Sequence, residues 1–132
     1  MNELFNIKDY VVVITGGTGV LGRSIAKYLA QNGSKVIILG RKEDVGNAIA
    51  DEIVKAGGIC EFMKTDVMCR ETVQKNCDEI MAKYGRIDTL LNAAGGNMAG
   101  ATIGPDQNFF DLDAEQFQRV LSLNLTGTVI PT

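Results

Sequence analysis

The chain has 132 residues, 45% of them apolar and 22% charged, with a formal charge of −3, which allows one domain with a real core and no more. Basic residues are scattered, so neither nucleic acid nor an anionic membrane is expected as a partner, and no apolar run approaches the roughly 20 residues a bilayer span needs. Histidine is absent, which excludes a Ser-His or Cys-His nucleophilic pair within the chain; Cys60, Cys69 and Cys77 lack metal-ligand spacing, so no metal site is expected. Met1-Asn2-Glu3-Leu4-Phe5 lacks a basic segment followed by an apolar one, does not read as a secretory signal, and leaves a cytoplasmic protein as the expectation.

In chain order, Tyr10-Val11-Val12-Val13-Ile14 is a continuous β-branched run, the pattern of a strand buried on both faces. A glycine-rich turn follows, and then Val20, Leu21, Ser24, Ile25, Tyr28 and Leu29 recur at helical spacing until Asn32-Gly33 stops the helix. Lys35-Val36-Ile37-Ile38-Leu39 predicts a second buried strand. The next helix carries Val45, Ile49, Ile53 and Ala56 on one face and is closed by Gly57-Gly58. A third strand spans 59–64 and leads into Thr65-Asp66-Val67. Val73, Cys77, Ile80, Met81 and Tyr84 mark a helix stopped by Gly85, with Cys77 read as a small buried hydrophobe. Thr89-Leu90-Leu91-Asn92 is the fourth strand, a long loop runs from Ala93 to about Leu112, and a last helix starts at Asp113, whose side chain can cap it with Gln116 three residues on.

Strands alternating with helices through short turns imply an α/β fold: a doubly wound parallel sheet, Rossmann-like, in three α/β/α layers. The final helix meets the end of the chain at Ile130-Pro131-Thr132, so residues 1–132 are expected to be the front part of a longer single domain, cut after the fourth strand and its following helix.

In such a sheet, ligands bind beyond the carboxyl ends of the strands, where strand order reverses. Between the first strand and helix, Gly17-x-Gly19-x-x-Gly22 fits the dinucleotide fingerprint: one glycine for the tight turn, one for close approach of a pyrophosphate, one for helix-sheet packing. A turn that needs glycine for packing alone is the alternative. The acidic residue expected some 20 positions on, to hold the ribose hydroxyls, is replaced by Gly40, followed by Arg41 and Lys42. A guanidinium without a carboxylate suits a 2′-phosphate, which favours NADP(H) over NAD(H); a solvated Arg41 is the alternative, with Glu43 or Asp44 reaching a ribose. Asp66 can accept from an adenine amino group or cap the next turn. Asn92 can bridge neighbouring backbones, and the small Ala93-Ala94-Gly95 leaves room for a flat ring or ribose; turn chemistry alone is the other reading.

Taken together, Thr15-Gly16-x-x-Gly19-x-x-Gly22, Asp66-Val67, Asn92-Ala93-Ala94-Gly95 and Asn124 in Asn124-Leu125-Thr126-Gly127-Thr128 closely resemble the short-chain dehydrogenase/reductase family over essentially the whole chain. The resemblance implies a nicotinamide cofactor whose pyrophosphate lies on Gly16, Gly17, Thr18, Gly19, Val20, Leu21 and Gly22, with Asp66 and Val67 at the adenine and Asn92, Ala93, Ala94 and Gly95 flanking it. It makes Asn124 the Asn of a catalytic Asn, Ser, Tyr and Lys tetrad, supporting a lysine-bound water, and implies a homotetramer or homodimer of the full-length protein. Two departures stand out. Gly19 comes one residue earlier than in the shorter, single-domain branch, a spacing more familiar from the longer branch acting on nucleotide sugars; the Asn-Ala-Ala-Gly and Asn-Leu-Thr-Gly-Thr segments resemble the shorter branch. The family's Ser and Tyr-x-x-x-Lys have no counterpart here: Tyr10, Tyr28 and Tyr84 fall in core or helix patterns and none has Lys four residues later. The chain alone is therefore expected to be inactive.

The loop after the fourth strand is the place where a small-molecule substrate is chosen. Gly95-Gly96-Asn97 and Phe109-Phe110-Asp111-Leu112-Asp113 resemble members of the D-mannonate (fructuronate) oxidoreductase type, which act on sugar acids, although Phe109 and Phe110 can equally anchor the loop to the core. The resulting expectation is an alcohol/carbonyl oxidoreductase using NADP(H) or NAD(H). A non-catalytic nucleotide-binding fragment and a nucleotide-sugar epimerase or dehydratase are the alternatives.

Overall fold

Four strands, β1 (Val11–Thr15), β2 (Lys35–Gly40), β3 (Ile59–Lys64) and β4 (Thr89–Asn92), form one parallel sheet in the order β3-β2-β1-β4 in the computed structural model, which describes residues 3–132. The β-branched runs explain the centre of the sheet: every residue of β1 is buried, and Ile14, Ile37 and Ile38 are fully excluded from water. Each such side chain contributes about 1.5–3 kcal/mol on burial.

The period-2 alternation of these strands divides the core in two. Val12, Ile14, Val36, Ile38 and Cys60 face α1 (Val20–Gln31) and α2 (Glu43–Lys55) through Ala26, Ala30, Ile49, Ala50 and Ile53. Val11, Val13, Ile37 and Leu39 point the other way, to Ile80 on α3 (Arg70–Tyr84), with Met63, Tyr84 and Leu90 packed around them. The sheet therefore lies between helical layers, as a doubly wound fold requires. Burial among these side chains pushes the Cys60 thiol up to about 12, so it stays protonated at neutral pH.

Several faces differ from the sequence expectation. The buried stripe of α1 is Gly22, Ala26 and Ala30, flanked by Ile25 and Leu29, whereas Val20, Leu21 and Tyr28 are 77%, 74% and 62% exposed. Small residues let the helix lie close on β1, which swings the large residues of its first turn outward. Ala56 and Met81 are exposed and Cys77 is only half-buried; beside Ile80, the position of α3 that reaches the interior is Asn76, whose amide donates to Thr65 Oγ1.

The segment after β4 is organised by two 3-10 turns, Ala99–Ala101 and Phe109–Asp111. Phe109 and Phe110 meet edge to face at 6.1 Å and are 71% and 92% exposed, so neither anchors the loop to the core. Asp113 caps α4 (Ala114–Leu121), accepting from the Glu115 and Gln116 amides. The helix continues through a π turn, Ser122–Thr126, into a last turn, Gly127–Val129. Gly127 is buried, and a Cβ there would lie 3.0 Å from the Val67 side chain, so the end of this helix rests on the β3–α3 connection.

Candidate functional site: the cleft at the carboxyl ends of the strands

Strand order reverses between β1 and β4, and an open cleft of about 360 Å³ lies beyond the carboxyl ends of the strands. Gly16, Thr18 and Gly19 enter it from the turn after β1, Leu39, Gly40 and Arg41 from β2, and Thr65, Asp66, Val67 and Met68 from the segment after β3. Ala93, Ala94, Gly95 and Met98 enter from the segment after β4, and Leu123 from the last helix. Of the sequence-predicted residues, Gly16, Thr18, Gly19, Arg41, Asp66, Val67, Ala93, Ala94 and Gly95 meet there. Gly17, Val20, Leu21, Gly22, Asn92 and Asn124 are not among its lining residues.

The glycine turn is shaped by close approach of main chain to main chain. Gly16 has φ +65°, and a Cβ on it would lie 2.6 Å from the Ala93 carbonyl oxygen. A Cβ on Gly22 would lie 2.4 Å from the Gly16 oxygen, and one on Gly17 would lie 2.5 Å from Ile38 Cβ. These three glycines seat the turn and α1 against the sheet. Gly19 is different: it is the N-cap of α1, is exposed, and has no side-chain cap among the described residues; the first turn of the helix carries no acidic residue. The Gly19 N–H donates to the Gly16 carbonyl at 3.0 Å, so the N–H groups of the first turn from Val20 on, with the positive end of the helix dipole, are left for an anion.

Across β2, Gly40 is buried against Thr18: a Cβ there would meet Thr18 Cγ2 at 2.9 Å and Oγ1 at 3.0 Å. Arg41 is exposed at the rim. Glu43 and Asp44 lie in the first turn of α2 and do not line the cleft; Glu43 is 3.7 Å from Lys64. Asp66 Oδ1 accepts from the Met68 amide at 2.9 Å, so the carboxylate does shape its own turn while lining the cleft.

The junction with β4 depends on a residue that the sequence reading treats only as part of a motif. Thr15, fully buried, accepts through Oγ1 from both the Ala93 and Ala94 amides at 3.1 Å, tying β1 to the segment that lines the cleft. Its signal in the sequence is a hydroxyl at the end of an otherwise apolar strand. Asn92 does not bridge backbones: its Nδ2 donates to Thr132 Oγ1 at 3.1 Å, and its buried Oδ1 has no partner among the described residues. Asn124 does bridge them, accepting from the Gly96 amide at 3.2 Å and donating to the Gly96 and Val120 carbonyls at 2.7 and 2.8 Å. Tyr84 lies away from the cleft: its hydroxyl donates to Glu61, and burial followed by that carboxylate pushes its pKa above the usual phenol range.

A parallel sheet of this order, with a glycine turn feeding an uncapped helix at the reversal point, defines a Rossmann-like nucleotide-binding protein. The chain belongs to the short chain dehydrogenase family, whose model matches residues 10–132. It is 38% identical over 133 residues to an uncharacterized oxidoreductase, UxuB, of Bacillus subtilis, a match covering 95% of this chain and 48% of the relative. A Haemophilus influenza structure described as a D-mannonate oxidoreductase with bound NAD superposes with TM-score 0.87 at 31% identity, covering 96% of this chain and 49% of that one. An actinorhodin polyketide ketoreductase with NADPH gives TM-score 0.82 at 26% identity, over 93% and 44% of the two chains. The chain spans about half the length of the curated relatives it matches. Among the described residues no helix is long and apolar enough to cross a membrane.

Proposed function

We propose that the protein containing this chain is an NAD(P)-dependent oxidoreductase interconverting an alcohol and a carbonyl by hydride transfer. Its proposed substrate is a sugar acid or a related small polar molecule, and residues 1–132 form the cofactor-binding part of one longer domain. The observation that carries this reading is the meeting of four strand ends in one cleft, with the uncapped start of α1 on one side and Asp66 on the other.

The donor set fits a dinucleotide. The N–H groups at Val20 and Leu21 would hold the pyrophosphate, which also gives these two exposed residues a place at the site, while the Gly19 N–H closes the turn on the Gly16 carbonyl. Asp66 and Val67 would border the adenine, and Ala93, Ala94 and Gly95 offer small surfaces for the ribose and ring. NADP(H) is favoured over NAD(H) because Arg41 stands at the rim and Thr18 occupies the space a carboxylate at position 40 would need. The two related structures hold NAD and NADPH respectively, so the choice rests on these residues.

When bound, the cofactor supplies or accepts the hydride. Asn124 is assigned a positioning role: its amide sets the main chain of Gly96 beside the last helix, at the edge of the cleft. The family's Ser and Tyr-x-x-x-Lys have no match within residues 1–132, so this chain by itself is proposed to bind cofactor without turnover. Phe117, Leu121, Leu125 and Val129 form an exposed stripe along α4 and the turns that follow it, which supports a homotetramer or homodimer as the proposed assembly; the proposed location is the cytoplasm.

The test is consumption of NADPH, and in parallel of NADH, followed by nicotinamide absorbance, when the full-length protein meets a panel of keto sugar acids, non-acidic sugars, 3-oxoacyl thioesters and hydroxysteroid ketones. Fastest turnover with a keto sugar acid is expected. Turnover confined to thioesters or steroids would remove the substrate assignment, and turnover of none would remove the oxidoreductase reading.

A further inference from the structure

The turn Ala99–Ala101 is hydrogen-bonded to α4 through Gly100, both of whose main-chain polar groups are taken by the start of that helix. Its carbonyl accepts from the Asp113 amide at 2.9 Å, and its amide donates to Gln116 Oε1 at 3.0 Å. Gln116 Nε2 in turn donates to Asp113 Oδ2 at 3.1 Å, while Asp113 Oδ1 caps the helix. A Cβ at position 100 would lie 2.6 Å from the Gln116 amide, so any side chain there would push the Gln116 amide out of this position. Two residues before the clamp, Met98 lines the cleft and also an adjoining hollow of about 430 Å³ shared with Asn97, Thr102 and Gln107.

We propose that Gln116 is a positioning residue for substrate recognition: it holds Gly100 on α4 and thereby sets Met98 where the cleft and the adjoining hollow meet. The proposal rests on the oxidoreductase reading above and adds a residue to it that touches neither cofactor nor substrate. The chemistry requires an amide. One end of the side chain must accept from Gly100 and the other must donate to Asp113, whose carboxyl the Gln116 main-chain amide and side chain hold below the usual carboxylate range. Alanine removes both contacts. Glutamate keeps the acceptor but sets two carboxylates side by side, and Asp113→Asn added to Gln116→Glu restores a donor between them while the Asn oxygen still caps the helix.

The experiment uses full-length protein and measures KM and kcat for the best carbonyl substrate, and NADPH affinity, for wild type, Gln116→Ala, Gln116→Glu and the double variant. Gln116→Ala is expected to raise substrate KM by about 5-fold or more with kcat and NADPH affinity within about 2-fold. Gln116→Glu is expected to raise KM at least as far, and the double variant to return it to within about 2-fold of wild type. An unchanged KM in Gln116→Ala, a common shift of KM, kcat and cofactor affinity, or no recovery in the double variant overturns the proposal. Wild-type protein that binds NADPH and turns over leaves the oxidoreductase reading standing in each of those cases; wild-type protein that does neither overturns both.

Discussion

The glycine turn after β1 and the segment after β4 lie side by side at the cleft and are held in place by different means. Around Gly16 and Gly22 the contacts are main chain, and around Gly17 they are the β-branched Ile38, at distances that leave no room for any side chain. The segment from Ala93 to Leu112 is held by side chains reaching to main chain: Thr15 to Ala93 and Ala94, Asn124 to Gly96, Gln116 to Gly100. A structure fixed by excluded volume tolerates one arrangement, whereas one fixed by exchangeable hydrogen bonds can be re-aimed by a substitution. The first suits a group that must always sit in one place, the second a surface that chooses among ligands.

The contrast breaks most visibly at Gly16. Gly16→Val puts a β-branched side chain at φ +65° with its Cβ against the Ala93 carbonyl, and is expected to cost about 3 kcal/mol or more. Thermal unfolding checks this: Tm should fall by about 6 °C or more, with loss of dinucleotide binding. An unchanged Tm would mean that the turn is not fixed by volume.

Thr15→Val tests the other means at the same place, since shape is kept and the acceptor for two amides is lost. A cost of about 1–3 kcal/mol is expected, read as a lower denaturant midpoint and a several-fold weaker NADPH affinity. Equal stability with equal affinity would show that the Ala93-Ala94 segment holds itself.

How much of this was legible follows the same division. The β-branched run of β1, the glycines and the Asn32-Gly33 stop locate strand, turn and helix because these depend on local chemistry. The face of α1 was misread because Val20, Leu21 and Tyr28 keep helical spacing as well as Ala26 and Ala30 do, and only contact with the sheet selects between the stripes. The Gln116 clamp was hidden for a related reason. Its position suggests a capping partner of Asp113, and nothing local reveals that a glycine 16 residues earlier returns to it. Phe109 and Phe110 are compatible by composition with loop anchors or with substrate contacts, and their turn, built by Asn108 and Asp111, leaves both rings in water.

The smallest effect is expected at the far end of the sheet. Asp88 accepts from the Val11 amide at 2.8 Å, and the Arg86 guanidinium, followed by that amide, holds its carboxyl below the usual range. A depressed folded pKa contributes stability above the unfolded carboxylate pKa, lost as pH falls through the folded value. Tm of wild type should therefore decline below about pH 4, and more gently for Asp88→Asn, with NADPH affinity at neutral pH unchanged. Parallel pH profiles would remove Asp88 from the account, and weakened binding would show that the two ends of the sheet are coupled.

In the proposed function the cleft binds a nicotinamide dinucleotide through the open start of α1 and prefers the 2′-phosphate through Arg41. Calorimetric titration of the full-length protein with NADPH and with NADH tests it most directly. One saturable site is expected, with NADPH tighter by about 10-fold, equivalent to about 1.4 kcal/mol. Tighter binding of NADH would contradict the role of Arg41, and no binding of either would contradict the account of the cleft itself.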